Sequence, residues 1–296
     1  MNQPNFIIAG VARCGTTSLY HYLKQHPQIG FPKIKEPKYF SSIHLKLPHK
    51  GPGDNTVDAK LVTEESKYFE LFNSLENFKA IGEASSDYFY YHENTIQAIK
   101  EKLGDVKIIL CFRNPIERSY SAYNNLVRDG REELSFEQAI DEEEKRIAQN
   151  WDWMWAYKAG GLYSDGLKAF LANFSQVKVV FSDQLDENPK KVLESIFEFL
   201  EVEQFQGIDA ETRYSHSGKP KNAIIGALTN RNNKIIYGLR EFALKTIPRK
   251  YLEKVASKMF AKDQIDQSAR HKLQAYFKND ISELENITQT NLKHWK

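Results

Sequence analysis

Residues 10–18 read Gly10-Val11-Ala12-Arg13-Cys14-Gly15-Thr16-Thr17-Ser18, directly after the apolar run Phe6-Ile7-Ile8-Ala9. A strand that empties into a glycine-bounded turn and then a helix start gathers backbone N–H groups and a positive helix end around one point. That is the chemistry of a phosphate cradle. The Walker pattern places Lys directly after the second glycine; here that residue is Thr16, and the nearest cation is Arg13, two places before Gly15. The loop is fit to bind a nucleotide, but it lacks the lysine an ordinary ATP or GTP hydrolase extends to the transferred phosphate. The plainer alternative is a strand–helix turn that merely contains glycines.

Two further polar sets follow apolar runs. Val106-Lys107-Ile108-Ile109-Leu110-Cys111-Phe112 ends in Arg113-Asn114-Pro115, and Ser121 stands eight residues after Arg113. Arg113 offers a planar fork for a second phosphate, and Ser121 adds a hydroxyl further along the helix that follows. Ala80-Ile81-Gly82-Glu83 leads into Ser85-Ser86-Asp87-Tyr88, and Glu36 sits among Lys33, Lys35 and Lys38. Ligands of an open parallel sheet collect at the carboxyl ends of its strands, which is where the first three sets fall.

The elements that must hold these sets are legible from periodicity. Apolar runs at 6–10, 29–31, 80–83, 106–112 and 177–181 read as strands. Helices are expected at 18–25, 66–75, 94–103, 117–123, 135–149, 165–174 and 189–200. Repeated strand–helix units predict an α/β fold, a P-loop-like parallel sheet with helices on both faces. From residue 224 onward the pattern is almost wholly helical, interrupted at Pro248. One domain is expected over 1–296, an α/β core to 223 and a helical C-terminal part from 224. Residues 44–60, rich in Gly, Pro, His, Lys and Asp, read as an ordered loop or a flexible lid. The tryptophans of Trp151-Asp152-Trp153-Met154-Trp155 suit either an acceptor pocket or core packing. The acidic run Asp141-Glu142-Glu143-Glu144 reads as a solvated helix face.

Composition narrows the partners. The chain of 296 residues carries a formal net charge of +2, so bulk charge favours neither nucleic acid nor an anionic membrane. Cys14 and Cys111 are its two cysteines, too few for a disulfide framework or a thiolate metal cluster. No apolar run has the length a bilayer needs and no secretory leader pattern opens the sequence, so the reading is cytoplasmic. No His, Cys and carboxylate cluster has metal-ligand spacing, and a homodimer is not excluded.

Together these segments resemble the sulfotransferases that use 3′-phosphoadenosine-5′-phosphosulfate (PAPS) as donor. The similarity is to the carbohydrate type, as in heparan sulfate N-sulfotransferases and many bacterial relatives. The stretch 10–18 resembles their 5′-phosphosulfate loop, and Val106 to Tyr123, with Arg118-Ser119-Tyr120-Ser121, their 3′-phosphate element. Lys35-Glu36-Pro37-Lys38-Tyr39-Phe40, Gly82-Glu83-Ala84-Ser85, Gly161-Leu162-Tyr163, Ser217-Gly218-Lys219-Pro220-Lys221-Asn222 and the ending His271 to Trp295 also match, in order.

The resemblance implies roles. Arg13, Cys14, Gly15, Thr16, Thr17 and Ser18 would hold the 5′-phosphosulfate. Arg113 and Ser121, with Lys219 and Lys221, would take the 3′-phosphate. Arg13 stands where the family has a lysine that steadies charge on the bridging oxygen; an arginine stays charged but passes no proton. Glu36 would be the base for an acceptor hydroxyl or amine, transferring the sulfuryl group in line and leaving 3′-phosphoadenosine-5′-phosphate (PAP), with no metal required. His44, His49 and His92 are reserve bases, and Glu83, Asp87 and His44 candidate acceptor contacts. The acceptor would be a carbohydrate or small molecule, with a secondary metabolite or glycolipid as the alternative. A P-loop small-molecule kinase is the more distant reading. It needs a strand-end Asp for Mg²⁺, and Asp183 is the one that could serve. A catalytically silent nucleotide-binding or scaffold protein would be favoured if Glu36 and Arg13 lay far apart or pointed away from the loop.

Overall fold

The computed structural model describes residues 2–210 and 264–296, with the backbone of two short strands from the stretch between. The strands β1 (Phe6–Gly10), β2 (Ile29–Gly30), β3 (Ala80–Ala84), β4 (Lys107–Phe112) and β5 (Val177–Phe181) form one sheet in the order β2-β3-β1-β4-β5. Every neighbouring pair in it is parallel. Helical crossovers cover such a sheet, which is why β1 and β3 are buried along their whole length. The α/β class read from the sequence is the one found.

β1 lies at the centre, with Ile7 opposite Glu83 of β3 and Ile108 of β4. Its register against β4 shifts between Ile8 and Gly10, so the chain leaves the ladder just before the anion loop. Gly82 opposes Phe6, and any Cβ there would stand 2.3 Å from the Phe6 ring. The missing side chain lets Phe6 meet Phe31 edge to face at 5.5 Å, which seats β2 beside β3.

The helices follow the sequence with local differences. α1 (Thr16–Leu23) starts two residues earlier than expected, because Gly15 takes φ +95° and turns the chain straight into the helix. α2 (Tyr39–Ser42), α3 (Asn55–Asp58) and α4 (Glu65–Glu70) are short, and the expected 66–75 helix stops early. Three-residue turns carry Phe72 and Leu75 into the core instead. α5 (His92–Leu103) precedes β4, and α6 (Pro115–Arg128) follows it. Asn114 caps α6 by accepting from the Ile116 amide at 3.0 Å, with Pro115 in the first turn. The charged 135–149 segment breaks at Glu142 into α7 (Phe136–Asp141) and α8 (Glu143–Ala148). Glu143 turns inward there to accept from the Lys158 and Ala159 amides, so the acidic run is not wholly a solvated face.

α9 (Ser164–Asn173) leads to β5, and α10 (Ser182–Glu187) and α11 (Pro189–Leu200) follow. The long helix α12 (Gln267–Thr288) packs on α6, α7 and α9. Its Asp280 accepts from the Tyr163 amide at 2.8 Å and the Ser164 amide at 3.0 Å, capping α9 from outside. Among the described residues no helix is long and apolar enough to cross a membrane.

Residues 44–60 form the ordered loop of the two readings. Asp54 is fully buried, pairs with Arg131, and accepts from the Gly51 amide at 2.7 Å, the Asp152 amide at 2.9 Å and Trp155 Nε1 at 3.0 Å. Arg131 Nε in turn donates to the Pro52 carbonyl at 2.6 Å. The division at 223/224 and the 224–262 helices lie outside the described residues. The two further strands, β6 (Lys219–Pro220) and β7 (Phe260–Ala261), pair antiparallel, and β6 runs beside α6.

Candidate functional site

The anion loop spans the end of β1 and the start of α1. No side chain caps α1, so its first-turn amides are left as donors, in the turn whose sequence is Thr16, Thr17 and Ser18. Cys14 has a different place from the one expected. Its amide donates to the Val11 carbonyl at 3.2 Å, and its thiol lies 3.6 Å from the Tyr163 hydroxyl. Tyr163 donates onward to the Arg113 carbonyl at 3.0 Å. Cys14 therefore fastens the loop to the end of β4 rather than offering a group to a ligand. Burial pushes its thiol pKa up, in keeping with that inert role.

Arg13 takes φ +71° and turns its guanidinium toward α6. Nε donates to Ser121 Oγ at 3.1 Å and Nη1 to Asn125 Oδ1 at 3.5 Å. Arg128 reaches the same Asn125 oxygen at 2.5 Å. Burial, then the charges of Arg128 and Arg113, push Arg13 down to about 9, with Asp129 opposing and Arg118 adding to the repulsion. A guanidinium is still charged at neutral pH; burial is the larger cause of the shift, and the neighbouring guanidiniums add a repulsion that an anion would relieve. Arg113, at the carboxyl end of β4, has no carboxylate partner among the described residues. Arg118 is 1 % exposed and donates to the Ala12 carbonyl at 3.2 Å, bracing the loop from beneath.

Asn125 and Arg128 were not singled out from the sequence, and Arg118 entered only within a matching motif, with no role of its own. With Ser121 they recur every three or four residues, one face of α6, which is the signal that could have found them. Of the expected 3′-phosphate lysines, Lys219 is described only as backbone, on the strand beside α6, and Lys221 lies outside the described residues.

Glu36 reaches the same end of the sheet. Its amide donates to the Ala84 carbonyl at 3.0 Å, and the Lys38 amide to Ser85 Oγ at 3.0 Å, docking the turn on the carboxyl end of β3. Glu36 thus stands at the end of the strand next to the one that delivers Arg13. Its Oε1 accepts from Lys35 Nζ at 2.8 Å and Ser86 Oγ at 3.1 Å, and Oε2 lies 4.0 Å from Lys38 Nζ. Burial alone would raise this carboxyl, but the two lysines and the two hydrogen bonds outweigh it and hold it at about 2.

Lys38 is itself buried and faces Asp87, Glu36 and Asp152; burial opposes its charge, yet these carboxylates keep its pKa raised. Its ammonium stands 5.2 Å from the Trp153 ring. Asp87 accepts from Ser41 Oγ at 2.6 Å, and burial lifts it to about 6 against the pull of Lys38. Both Asp87 and Glu83 are fully enclosed. Glu83 accepts from Tyr68 at 3.3 Å, and burial lifts it to about 8, so it holds a proton at neutral pH inside the core. These two act beneath the surface rather than as direct acceptor contacts. Of the reserve histidines, His44 is exposed without a contact into this cluster. His49 is held 2.6 Å from Asp58, and His92 lies 3.1 Å from the Phe89 carbonyl.

Trp155 is packing, wholly buried against Trp151 at 4.7 Å, whereas Trp153 borders a cavity. Asp183, the carboxylate a kinase would need, accepts from Trp295 Nε1 at 2.8 Å and lies 3.0 Å from His294 Nε2. Among the described residues no group of three His, Cys, Asp or Glu side chains is arranged to hold a metal ion.

A parallel sheet whose central strand opens into an uncapped helix N-terminus, ringed by arginines from the next strand–helix unit, defines a P-loop-like α/β protein. The chain belongs to the sulfotransferase domain family, whose model matches residues 3–285. A sulfotransferase structure from Alicyclobacillus acidocaldarius is 31 % identical, with a TM-score of 0.79 over 100 % of this chain and 99 % of that one. Carbohydrate sulfotransferase 15 from Mus musculus is 23 % identical over 293 residues, covering 81 % of this chain and 51 % of that protein. The mouse sulfotransferase SULT7A1, solved in complex with PAP, shares the fold at 15 % identity and a TM-score of 0.51, over 95 % of this chain and 86 % of that one. The chain spans about half the length, or less, of the curated relatives it matches.

Proposed function

We propose that the protein transfers the sulfuryl group of PAPS to a hydroxyl or amine of a carbohydrate or small-molecule acceptor. The observation that carries this reading is the Arg13–Ser121 hydrogen bond beside neighbouring guanidiniums, which joins the loop to α6 as a surface for two phosphates would require. The PAP bound to the mouse structure is in keeping with it.

In this reading the α1 amides and the Thr16, Thr17 and Ser18 hydroxyls hold the 5′ end of the donor. Arg113 and Ser121 hold the 3′-phosphate, with Lys219 and Lys221 completing that end. The acceptor oxygen or nitrogen forms its bond to sulfur as the bond from sulfur to the phosphate oxygen breaks. Arg13 steadies the negative charge left on that oxygen. The acceptor proton passes to Glu36. A carboxylate held at about 2 is a weak base toward an alcohol, but the proton becomes far more acidic as the acceptor gives up its electron pair. The grip of Lys35 and Lys38 therefore sets both the position of Glu36 and its strength.

Calorimetric titration with PAP in the absence of magnesium tests the reading. Micromolar binding that is lost in Arg113→Ala and Ser121→Ala supports it. Binding of ATP with Mg²⁺ but not of PAP overturns it and restores the kinase.

A further inference from the structure

Beneath the anion loop lies a cavity of about 180 Å³, walled by Val11, Ser86, Phe89, Tyr90, Arg118 and Trp153. Leu162, 40 % exposed, and Asp165 stand at its mouth, where Asp165 pairs with Lys168 at 3.7 Å. An engineered core cavity of roughly 150 Å³ holds one benzene molecule, so this one has room for a single six-membered ring with small substituents. Tyr90 and Trp153, with ring centroids 6.2 Å apart and planes tilted by 36°, supply aromatic faces for such a ring.

Two wall residues keep polar groups that nothing among the described residues satisfies. Arg118 spends Nε on the Ala12 carbonyl and Nη1 on the Ala156 and Tyr157 carbonyls, at 3.0 and 3.2 Å, while Nη2 makes no hydrogen bond. It forms no ion pair among the described residues, although it is a buried charge. Glu143, the carboxylate that senses it, has both oxygens engaged by the Lys158 and Ala159 amides. Trp153 Nε1 is likewise buried without an acceptor. The third observation is continuity with the site: Ser86, in the cavity wall, is the residue that donates to Glu36 at 3.1 Å.

We propose that this cavity seats one six-membered ring of the acceptor, bearing a carboxylate that Arg118 pairs and a hydroxyl that projects past Ser86 toward Glu36. The proposal rests on the sulfuryl-transfer reading and adds its substrate class. The acceptor is a small ring acid, or the terminal ring of a chain. An internal unit of a polymer, linked on both sides, does not enter a pocket of this size.

The test uses PAP-saturated protein and two probe pairs, 4-hydroxybenzoate against phenol and glucuronate against glucose, with binding followed by ligand-observed NMR. The expected result is that at least one acid binds tenfold or more tightly than its uncharged counterpart. The pair that responds says whether the ring is aromatic or a sugar. Leu162→Trp, which fills the mouth, should weaken that acid tenfold or more at unchanged PAP affinity, and Arg118→Gln should abolish the preference for the acid. Leu162→Trp decides the matter if Arg118→Gln fails to fold. Equal binding within both pairs, no binding of any probe, or indifference to Leu162→Trp overturns the proposal while PAP binding leaves the donor reading standing. Absence of PAP binding overturns both.

Discussion

Arg13 Nε and Ser121 Oγ stand 3.1 Å apart, although 108 residues separate them in the chain. One belongs to the loop after β1 and the other to the helix after β4, so the two halves of the proposed donor surface are already joined in this structure. A binding site assembled in advance loses less freedom on binding. Arg13→Ala should lower kcat by about 10²–10³, the scale seen when one preorganised group that stabilises developing charge is removed. Arg13→Ala and Ser121→Ala should also combine non-additively in PAP affinity, since they share a hydrogen bond. A double-mutant cycle by calorimetry measures the coupling; strict additivity speaks against a working contact.

Glu36→Gln should reduce kcat by about 10²–10⁴ while PAP affinity stays within a few-fold, as expected for a general base outside the donor surface. The glutamate is held at about 2, so its ionised form persists well into acid and the wild-type rate should show no acid limb from this group above about pH 3. Lys35→Ala removes its closest ammonium and should move that limb upward toward the usual carboxylate range. A limb that does not respond to the lysine assigns the titration to another group.

Glu83 reverses the sign. Burial raises it from 4.5 to about 8, so the folded protein holds a proton that the unfolded chain has released across that window. Its contribution to stability is fully present below pH 4.5 and is lost as pH rises through 8. Glu83→Gln keeps the neutral shape, so its melting temperature should fall less than that of wild type between pH 6 and pH 9. Parallel melting curves over this range would show that Glu83 is not the group responsible.

The Asp54–Arg131 pair is buried on both sides. Removing one partner leaves an unpaired charge in the interior, and Arg131→Met should destabilise by about 3–5 kcal/mol. Urea unfolding checks the figure. A loss below 1 kcal/mol would mean that residues 44–60 are held by other contacts.

Much of this was legible in the sequence because it depends on local order. Strands β1, β4 and β5 announce themselves by apolar runs, and the loop and the Arg113 and Ser121 elements follow them at fixed distances. What was hidden depends on contacts across the chain. Cys14 lies in the loop by sequence, but the tertiary fold points its thiol at Tyr163. Glu83 and Asp87 look like site carboxylates until burial shows them enclosed. The 135–149 segment has the composition of one helix, yet it breaks because Glu143 is needed by amides fifteen and sixteen residues further on. Asp54 carried no signal, since its value comes from Trp155 and Arg131, roughly eighty to a hundred residues away.

The two cysteines of the chain, Cys14 and Cys111, are both fully buried, and burial raises both thiols, Cys111 by nothing larger. Thiol-directed dyes and spin labels should therefore ignore the wild-type protein at neutral pH. A single cysteine introduced at an exposed helix position such as Leu171, 47 % accessible, would be the one addressable sulfur on the molecule. Distances within the working protein can thus be followed without first stripping out its native sulfur, and without disturbing the thiol that ties the anion loop to Tyr163.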